Sequence, residues 1–239
     1  MRKYLELFIN GFDETITDKI KVENKPYIGY SMEEGKVVYT VIPKPVTGSY
    51  VTFTAEEDNS SIGLEKLSTN QTLEYSMDTT TWNTFDITTN ISLNNGDKVY
   101  VRGVLSGDNT YSDYTHFKMT GKIAASGNCN AIWNYEDLNA PLKAYCGRYM
   151  FNSCTSLTTA PELPATKLVE YCYNGMFYGC AKLKHITCLA IDISASYCTS
   201  IWIHGVASTG TFVKHPNMED WTTGGNSIPI GWTVIDAEL

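Results

Sequence analysis

The chain has 239 residues, of which 43% are hydrophobic and 12% aromatic, so it can bury a substantial core. Its net charge of -8 and its lack of Lys and Arg clusters argue against nucleic acid as a principal partner, because phosphate binding needs such clusters. No apolar run approaches the roughly 20 residues of a membrane span, so we expect no membrane insertion. Abundant Thr, Tyr and Gly without long helix-forming runs predict a mainly β protein.

Residues 1–45 are predicted to form a small N-terminal β module. Its apolar runs at residues 4–9 and 37–42 are accompanied by the turn signals NG and EEG. Two closely spaced prolines in PKPVTGS, residues 43–49, favour extended backbone and indicate a domain boundary. The module is too short to hold a large core alone, which makes it a candidate docking segment.

The first residues resemble the start of a signal peptide, with two basic residues ahead of apolar ones. Glu6 and Asn10 interrupt the apolar run, and no small-residue cleavage site follows. We therefore expect that the chain is not exported by this route.

Residues 46–122 are predicted to form an antiparallel β-sandwich. Strand-like runs recur about every ten residues, and polar turns separate them; the runs are YVTFTA, SIGLEKL, TLEYSM, WNTFDI, KVYVRGVL and THFKM. In KVYVRGVL, Val99 and Val101 alternate with Tyr100 and Arg102, and LEYSM is read in the same way. A period of two places one face on a core and the other in water, and this spacing of runs is typical of a sandwich.

Residues 142–239 contain an internal repeat, whose period is the spacing from Cys146 to Cys172. Residues 142–167 superpose on residues 168–193, and the identical positions are Leu142, Tyr145, Cys146, Met150, Phe151, Cys154, Leu157 and Leu163 with their counterparts in the second copy. A third copy keeps the Tyr-Cys pair but has Val206 in place of the second cysteine, so we expect the repeats to end there. Such a period indicates a solenoid, to which residues 123–141 are a connector or N-terminal cap.

The repeated residues carry a specific resemblance to a known family. YMFNSCTSLTTAPELPAT and YCYNGMFYGCAKL resemble the BspA-like, Treponema-type leucine-rich repeats, in which Phe, Cys and Leu follow one another at intervals of three residues. The tail IPIGWTVIDA is similar to the closing segment of such proteins, and LEYSMDTTTW with GDKVYVRG resembles the β-domain that often precedes the repeats. The resemblance implies a short solenoid with a C-terminal cap, and recognition or adhesion rather than catalysis, in gut Bacteroidales and their phages.

The seven cysteines are an odd number in a chain without a recognised signal peptide, which indicates a reducing compartment. Most recur at the repeat period rather than at the spacing of zinc ligands, so small buried thiols are favoured over disulfides between stacked copies or a metal site. His185 with Cys180 and Cys188 suggests at most a partial zinc set, and an exposed histidine is favoured. The predicted core of the repeats consists of Cys146, Phe151, Cys154, Leu157, Cys172, Phe177, Cys180, Leu183 and Cys198.

A candidate recognition surface follows from positions that differ between copies while the core set repeats. Variable residues on an ordered solenoid face can bind a partner, although a surface without a binding role is an equal alternative. Aromatic residues outside the repeated set are candidates to anchor a binding partner, and partly buried packing is the alternative role for them. The candidates are Thr158, Thr159, Lys184 and His185 on the strand after the repeated leucine, together with Tyr149, Tyr173 and Tyr178.

Nothing in the sequence matches a catalytic, cofactor or phosphate-binding motif, so we predict a non-enzymatic protein without cofactor. The favoured function is a phage virion structural protein, such as a head fibre, decoration or tail-associated protein, assembled in the host cytoplasm. It would dock onto other virion proteins through residues 1–45 and present the sandwich and the repeats to a host surface glycan or protein. A homo-oligomer, with a trimer as the guess, is expected for such particles.

Two other functions stay open at this point. A bacterial cell-surface adhesin agrees with the repeat resemblance but requires an export route. A glycan-active enzyme needs two carboxylates about 5 to 10 Å apart, whereas the carboxylates here lie mostly in turns.

Overall fold

The computed structural model describes residues 27–33, 36–42, 49–219 and 221–238. The chain divides into two compact units, Met1–Thr47 and Gly48–Leu239, and the division falls inside PKPVTGS. In the first unit, strands β1 (Tyr27–Glu33) and β2 (Lys36–Ile42) form an antiparallel hairpin with Tyr30 opposite Tyr39. The apolar run predicted at residues 4–9 lies outside the described residues.

The second unit is mainly β, as predicted, with short strands and one turn of helix in its described part. The first strands are β3 (Val51–Ala55), β4 (Ser60–Lys66), β5 (Gln71–Ser76), β6 (Asn83–Thr84), β7 (Asn90–Leu93), β8 (Lys98–Leu105), β9 (His116–Thr120) and β10 (Ile123–Ser126). They are followed by helix α1 (Ala131–Asn134) and by β11 (Leu157–Thr159), β12 (His185–Cys188), β13 (Thr211–Lys214) and β14 (Thr233–Asp236).

These strands form two sheets that share one core. The larger is a mixed sheet of nine strands in the order β14-β13-β12-β11-β10-β3-β8-β5-β6, and the smaller is antiparallel in the order β7-β4-β9. Phe53 on the larger sheet and Phe117 on the smaller have ring centroids 5.5 Å apart, and Phe85 lies 6.1 Å from Phe117. The two sheets therefore pack against each other through aromatic side chains.

The expected alternation of buried and exposed residues holds along β8 but fails at the end of β5. In β8, Val99 and Val101 are buried between partly exposed neighbours. In β5, Ser76 is buried and Met77 is exposed. The strand ends at Ser76 because its Oγ accepts hydrogen bonds from the backbone amides of Asp78 and Thr79, which turns the chain away.

Strand β10 joins the antiparallel strands to the repeats. It lies within residues 123–141, the expected connector, and pairs antiparallel with β3 and parallel with β11. The hydrophobic core continues across this junction, since the Phe151 ring lies 6.1 Å from that of Phe53 and 5.2 Å from that of Phe117. The larger sheet thus contains both antiparallel strands and the strands of the repeats, and one core extends through both parts.

The repeats stack through parallel strands, and we call this stack the ladder and each repeated unit a rung. Thr159 pairs with His185 and His185 with Thr211, so residues one repeat period apart lie side by side in neighbouring rungs. Beyond the third copy, β14 adds a further parallel strand with Thr233 opposite Thr211, at a shorter spacing than the repeat period. Trp232 fixes this strand by donating from Nε1 to the carbonyl of Ala207 at 2.7 Å.

The turns on the other side of the ladder are hydrogen-bonded from rung to rung as well. Every second amide donates to a carbonyl of the next rung, as from Phe151 to Met176 at 2.9 Å and from Phe177 to Trp202 at 2.7 Å. The amides between them donate to the carbonyl three residues earlier, which closes a series of tight turns. Gly175, with φ +60°, occupies one of the left-handed positions that these turns require.

The interior of the ladder contains the repeated residues in columns. The Phe151 and Phe177 rings are parallel within 2° with centroids 5.7 Å apart. The nine residues predicted for this core are all buried: Cys146, Phe151, Cys154, Leu157, Cys172, Phe177, Cys180, Leu183 and Cys198. Across the described parts of both units, no helix is long and apolar enough to cross a membrane.

Candidate functional site

The strand residues of the candidate surface separate into outward and inward positions. Thr159 and His185 are partly exposed and adjacent in the sheet, and Lys184 is exposed. Thr158 is buried instead, which corrects its assignment to the surface. A register shift between β10 and β11 makes Thr158 an extra residue, and its Oγ1 donates to Glu56 Oε2 at 2.8 Å.

His185 is the imidazole on this part of the sheet, next to the exposed Lys184. Partial burial lowers the pKa of its imidazole, because desolvation disfavours the charged form. Its Nε2 lies 3.4 Å from Thr187 Oγ1 on the same strand. The face around His185 therefore presents a neutral imidazole and hydroxyl groups at neutral pH.

Tyr173 does not belong to the surface. It is fully buried between Trp133 and Trp202, with ring centroids 6.1 and 6.4 Å away. The preceding rung has Gly147 at the corresponding position, and this leaves room for the Trp133 indole above the tyrosine ring. Burial raises the pKa of the Tyr173 hydroxyl well above its usual value, and that hydroxyl has no hydrogen-bond partner in the described part of the chain.

Tyr178, by contrast, is 37% exposed and stacks on the imidazole of His204 at 5.2 Å. Tyr149 is partly exposed and lies in the left-handed region with φ +50°. Its ring covers Gly175, where a Cβ atom would overlap it. These two tyrosines lie on the turn side of the ladder, away from the strand residues.

A column of three tyrosines lies on this turn side and was not predicted as surface. Tyr145, Tyr171 and Tyr197 occupy the same position in successive rungs, and their rings stack with centroid distances of 4.7 and 4.8 Å. All three have positive φ, which is unfavourable for tyrosine. Tyr197 at the end of this tyrosine column is 62% exposed. The identity of the residue in all three copies was visible in the sequence, but the exposure of its ring was not.

A buried arginine lies beside the column, within what we call the tyrosine cage: Arg148 with the rings of Tyr111, Tyr114 and Tyr149. The guanidinium carbon lies 3.9, 5.3 and 4.3 Å from the three ring centroids, respectively. Arg148 is only 2% exposed, and its Nη1 donates to the backbone carbonyl of Tyr111. The stacking distances are those of cation–π contacts.

The tyrosine cage could not be found from the repeat pattern, because two of its rings come from the loop between β8 and β9. One signal was nevertheless present in the sequence. Arg148 breaks the repeat, since the corresponding residues in the next rungs are Asn174 and Ser200.

All seven cysteines are free thiols and buried. Burial raises the pKa of every one of them, to about 12 for Cys154 and Cys188. Since the thiolate is the nucleophile and the metal ligand, these neutral thiols act as core residues at neutral pH. In the described parts of the chain, no three His, Cys, Asp or Glu side chains are grouped to hold a metal ion.

Comparison with known proteins adds no assignment, since no protein-family model, curated protein or solved structure matches this chain.

Proposed function

We propose that this chain is a non-enzymatic recognition protein of a phage virion, such as a head fibre, decoration or tail-associated protein. The observation that carries the proposal is a contrast within the ladder: the nine predicted core residues are buried, whereas residues that differ between rungs include some that face solvent. Thr159 and His185 illustrate the second group. Ordered, variable surface on a rigid scaffold is where recognition is found.

The ladder is best explained as a short leucine-rich-repeat solenoid of the BspA-like type. Its support is the spacing of Phe, Cys and Leu in the first two rungs, together with the parallel pairing of the strands from β11 to β14. Trp232 and β14 then form the C-terminal cap that the resemblance implies.

Binding without catalysis is supported by the state of the groups that could react. The cysteines are buried and protonated, and His185 Nε2 contacts the hydroxyl of Thr187 rather than a carboxylate. We therefore assign the second unit to non-covalent recognition of a host surface glycan or protein. The first unit would dock onto other virion proteins, and the particle would assemble in the host cytoplasm with this chain as a homo-oligomer, for which we expect a trimer.

The experiment is a mass-spectrometric survey of purified virions, combined with immunogold labelling of intact particles by antibodies against residues 48–239. We expect the chain in the particles, with the label on their outer surface. Light scattering of the purified chain should give the mass of a trimer.

A bacterial surface adhesin gives the opposite result. The chain would be missing from particles and would be labelled on intact, uninfected cells, which would overturn the virion assignment.

A further inference from the structure

Two arginines of the second unit lie against aromatic rings, and they differ in the charge beside them. Arg102 lies between Trp82 and Tyr135, with its guanidinium carbon 3.9 and 4.3 Å from the ring centroids. Its Nε also donates to Glu74 Oε2 at 2.7 Å. Glu74 thus neutralises Arg102 inside its aromatic sandwich.

Arg148 also lies against aromatic rings, but its acidic neighbours differ from those of Arg102. Among the residues that the structure describes, no Asp or Glu oxygen lies within 4.0 Å of its guanidinium. Within the described ranges, its Nε is buried without a hydrogen-bond partner, and the one hydrogen bond of the guanidinium runs from Nη1 to the backbone carbonyl of Tyr111. A guanidinium has five N–H donors, and a buried charge with so few acceptors is strongly unfavourable.

The surroundings of the tyrosine cage add positive charge. Lys66 Nζ lies 4.3 Å from the centroid of the Tyr114 ring and donates to the carbonyl of Ser112. The same loop has two acidic residues: Asp113 accepts hydrogen bonds from the backbone amide and the hydroxyl of Thr69, and Asp108 accepts one from the backbone amide of Ala144. The carboxylate of Asp113 is therefore occupied by Thr69 rather than by Arg148.

Packing of the ladder does not require an arginine at this position. In the next rung Asn174 fills the corresponding place and donates from Nδ2 to the carbonyl of Ser200 at 3.2 Å. Tyr149 is equally specific to the first rung, because Gly175 replaces it in the second. The cage thus combines residues that the repeat does not explain.

We propose that the tyrosine cage binds the carboxylate of an acidic sugar, a uronic or sialic acid presented on a glycan. The proposal rests on the recognition function above and specifies its ligand. The planar guanidinium matches a carboxylate in two-pronged geometry, and Glu74 shows how a carboxylate pairs with Arg102 between aromatic rings. An external carboxylate would supply for Arg148 what Glu74 supplies for Arg102.

The aromatic surroundings favour a sugar over a peptide as the carrier of the carboxylate. Tyr111 is 68% exposed and covers the guanidinium, and the tyrosine column continues the aromatic surface along the turn side. The C–H face of a sugar ring packs on such rings, whereas the C-terminal carboxylate of a peptide is typically captured by backbone amides. Rotation of the exposed Tyr111 side chain, a motion of nanoseconds or less, opens the guanidinium edge.

The test is isothermal titration calorimetry of the full chain with sodium glucuronate and with N-acetylneuraminate, beside glucose and sodium acetate. We expect saturable binding of at least one acidic sugar, no binding of glucose, and far weaker binding of acetate. Arg148→Met should weaken the binding by at least about 30-fold, because it removes one partner of a charge pair. Arg102→Met is the matched control and should leave the affinity unchanged.

A second variant is needed to distinguish a loss of binding in Arg148→Met from a loss of folding. Tyr111→Ala alters an exposed side chain and should weaken sugar binding while the far-UV circular dichroism spectrum stays the same. The proposal is overturned if neither acidic sugar binds, if Arg148→Met binds as the wild type does, or if acetate binds as well as the sugars, which means an adventitious ion only. Equal binding of an acetylated dipeptide would point to a protein ligand and overturn it too. The survey of purified virions tests the proposed function and does not depend on this titration. The proposed function and the sugar-binding proposal can therefore be contradicted separately.

Discussion

At the scale of single residues, substitution of Phe177 tests how much the stability of the ladder depends on its stacked aromatic rings. Its ring is fully buried, stacked on Phe151 and 6.3 Å from Trp202. Phe177→Ala should lower the free energy of unfolding by ~3 to 5 kcal/mol in urea titrations, because it leaves a cavity between two rings. The neighbouring Tyr178→Ala should lower it by clearly less, since the Tyr178 side chain is 37% exposed and stacks on His204. Equal losses would contradict the assignment of Phe177 to the core.

The buried thiols should make stability depend on alkaline pH. Cysteines in the unfolded chain titrate near pH ~8.5, whereas burial keeps those in the folded chain protonated to much higher pH. The unfolded state therefore binds fewer protons above that pH, and the free energy of unfolding should fall as pH rises from about 8 to 10. Urea midpoints measured across this range check the prediction.

Cys188→Ala is the control for that measurement, because it removes one of the titrating thiols. The variant should show a shallower decline with pH than the wild type, whatever its stability at neutral pH. An unchanged slope would mean that groups other than the thiols cause the decline.

The repeat pattern predicted which residues are buried better than it predicted which are exposed. Identity at the repeat period selects positions that contact the same position in the next rung, and such positions are mostly interior. Tyr173 fails this criterion yet is buried, because Gly147 in one rung makes room for a ring in the next. Exposure at non-repeated positions depends on such neighbours and not on the period.

At the scale of elements, the turns of the ladder depend on left-handed residues that fit beneath their neighbours. Gly175 has φ +60° and lies under the Tyr149 ring. Gly175→Ala should therefore reduce the urea midpoint more than Gly96→Ala does. Gly96 also has positive φ, +87°, but nothing lies near its missing Cβ, so its replacement costs only about 1 to 2 kcal/mol of backbone energy. Equal effects would mean that the Tyr149 ring moves aside freely.

In the second unit, β7, β10 and β14 escaped the sequence patterns. β7 and β10 are too short to show a period, and β10 is held by partners on both sides. β14 pairs with β13 through Thr233 and Thr211, which are closer in sequence than Thr211 and His185, so a search at the repeat period passes over it. Strands of this kind are specified by their neighbours in the sheet more than by their own sequence.

On the scale of the whole second unit, a continuous core predicts that the antiparallel strands and the ladder unfold together. The rings of Phe53, Phe117 and Phe151 join the two parts. Hydrogen exchange followed by mass spectrometry in increasing urea should show peptides from β8 and from β12 losing protection at the same concentration. Earlier loss in β12 would mean that the ladder is a separate cooperative unit.

The mainly β character and the interior of the first two rungs could be read from composition and period. The tyrosine cage could not, because Tyr111 and Arg148 are distant in sequence and meet only when the loop after β8 folds onto the first rung. A comparison of residues at the repeat period disregards Arg148, because Asn174 and Ser200 occupy its position in the next rungs. This difference between rungs is nevertheless the feature that defines the tyrosine cage.

The regular bonding of the turns has a consequence for how such a chain can change length. Since alternate amides of one rung donate to carbonyls of the next at a constant spacing, a duplicated segment brings its own donors and acceptors in the correct order. Tandem duplication of residues 168–193 in the gene would thus insert a rung without disturbing the rungs on either side. Recombination between neighbouring repeats could lengthen or shorten the protein in whole rungs, and each new copy would be free to acquire different exposed residues.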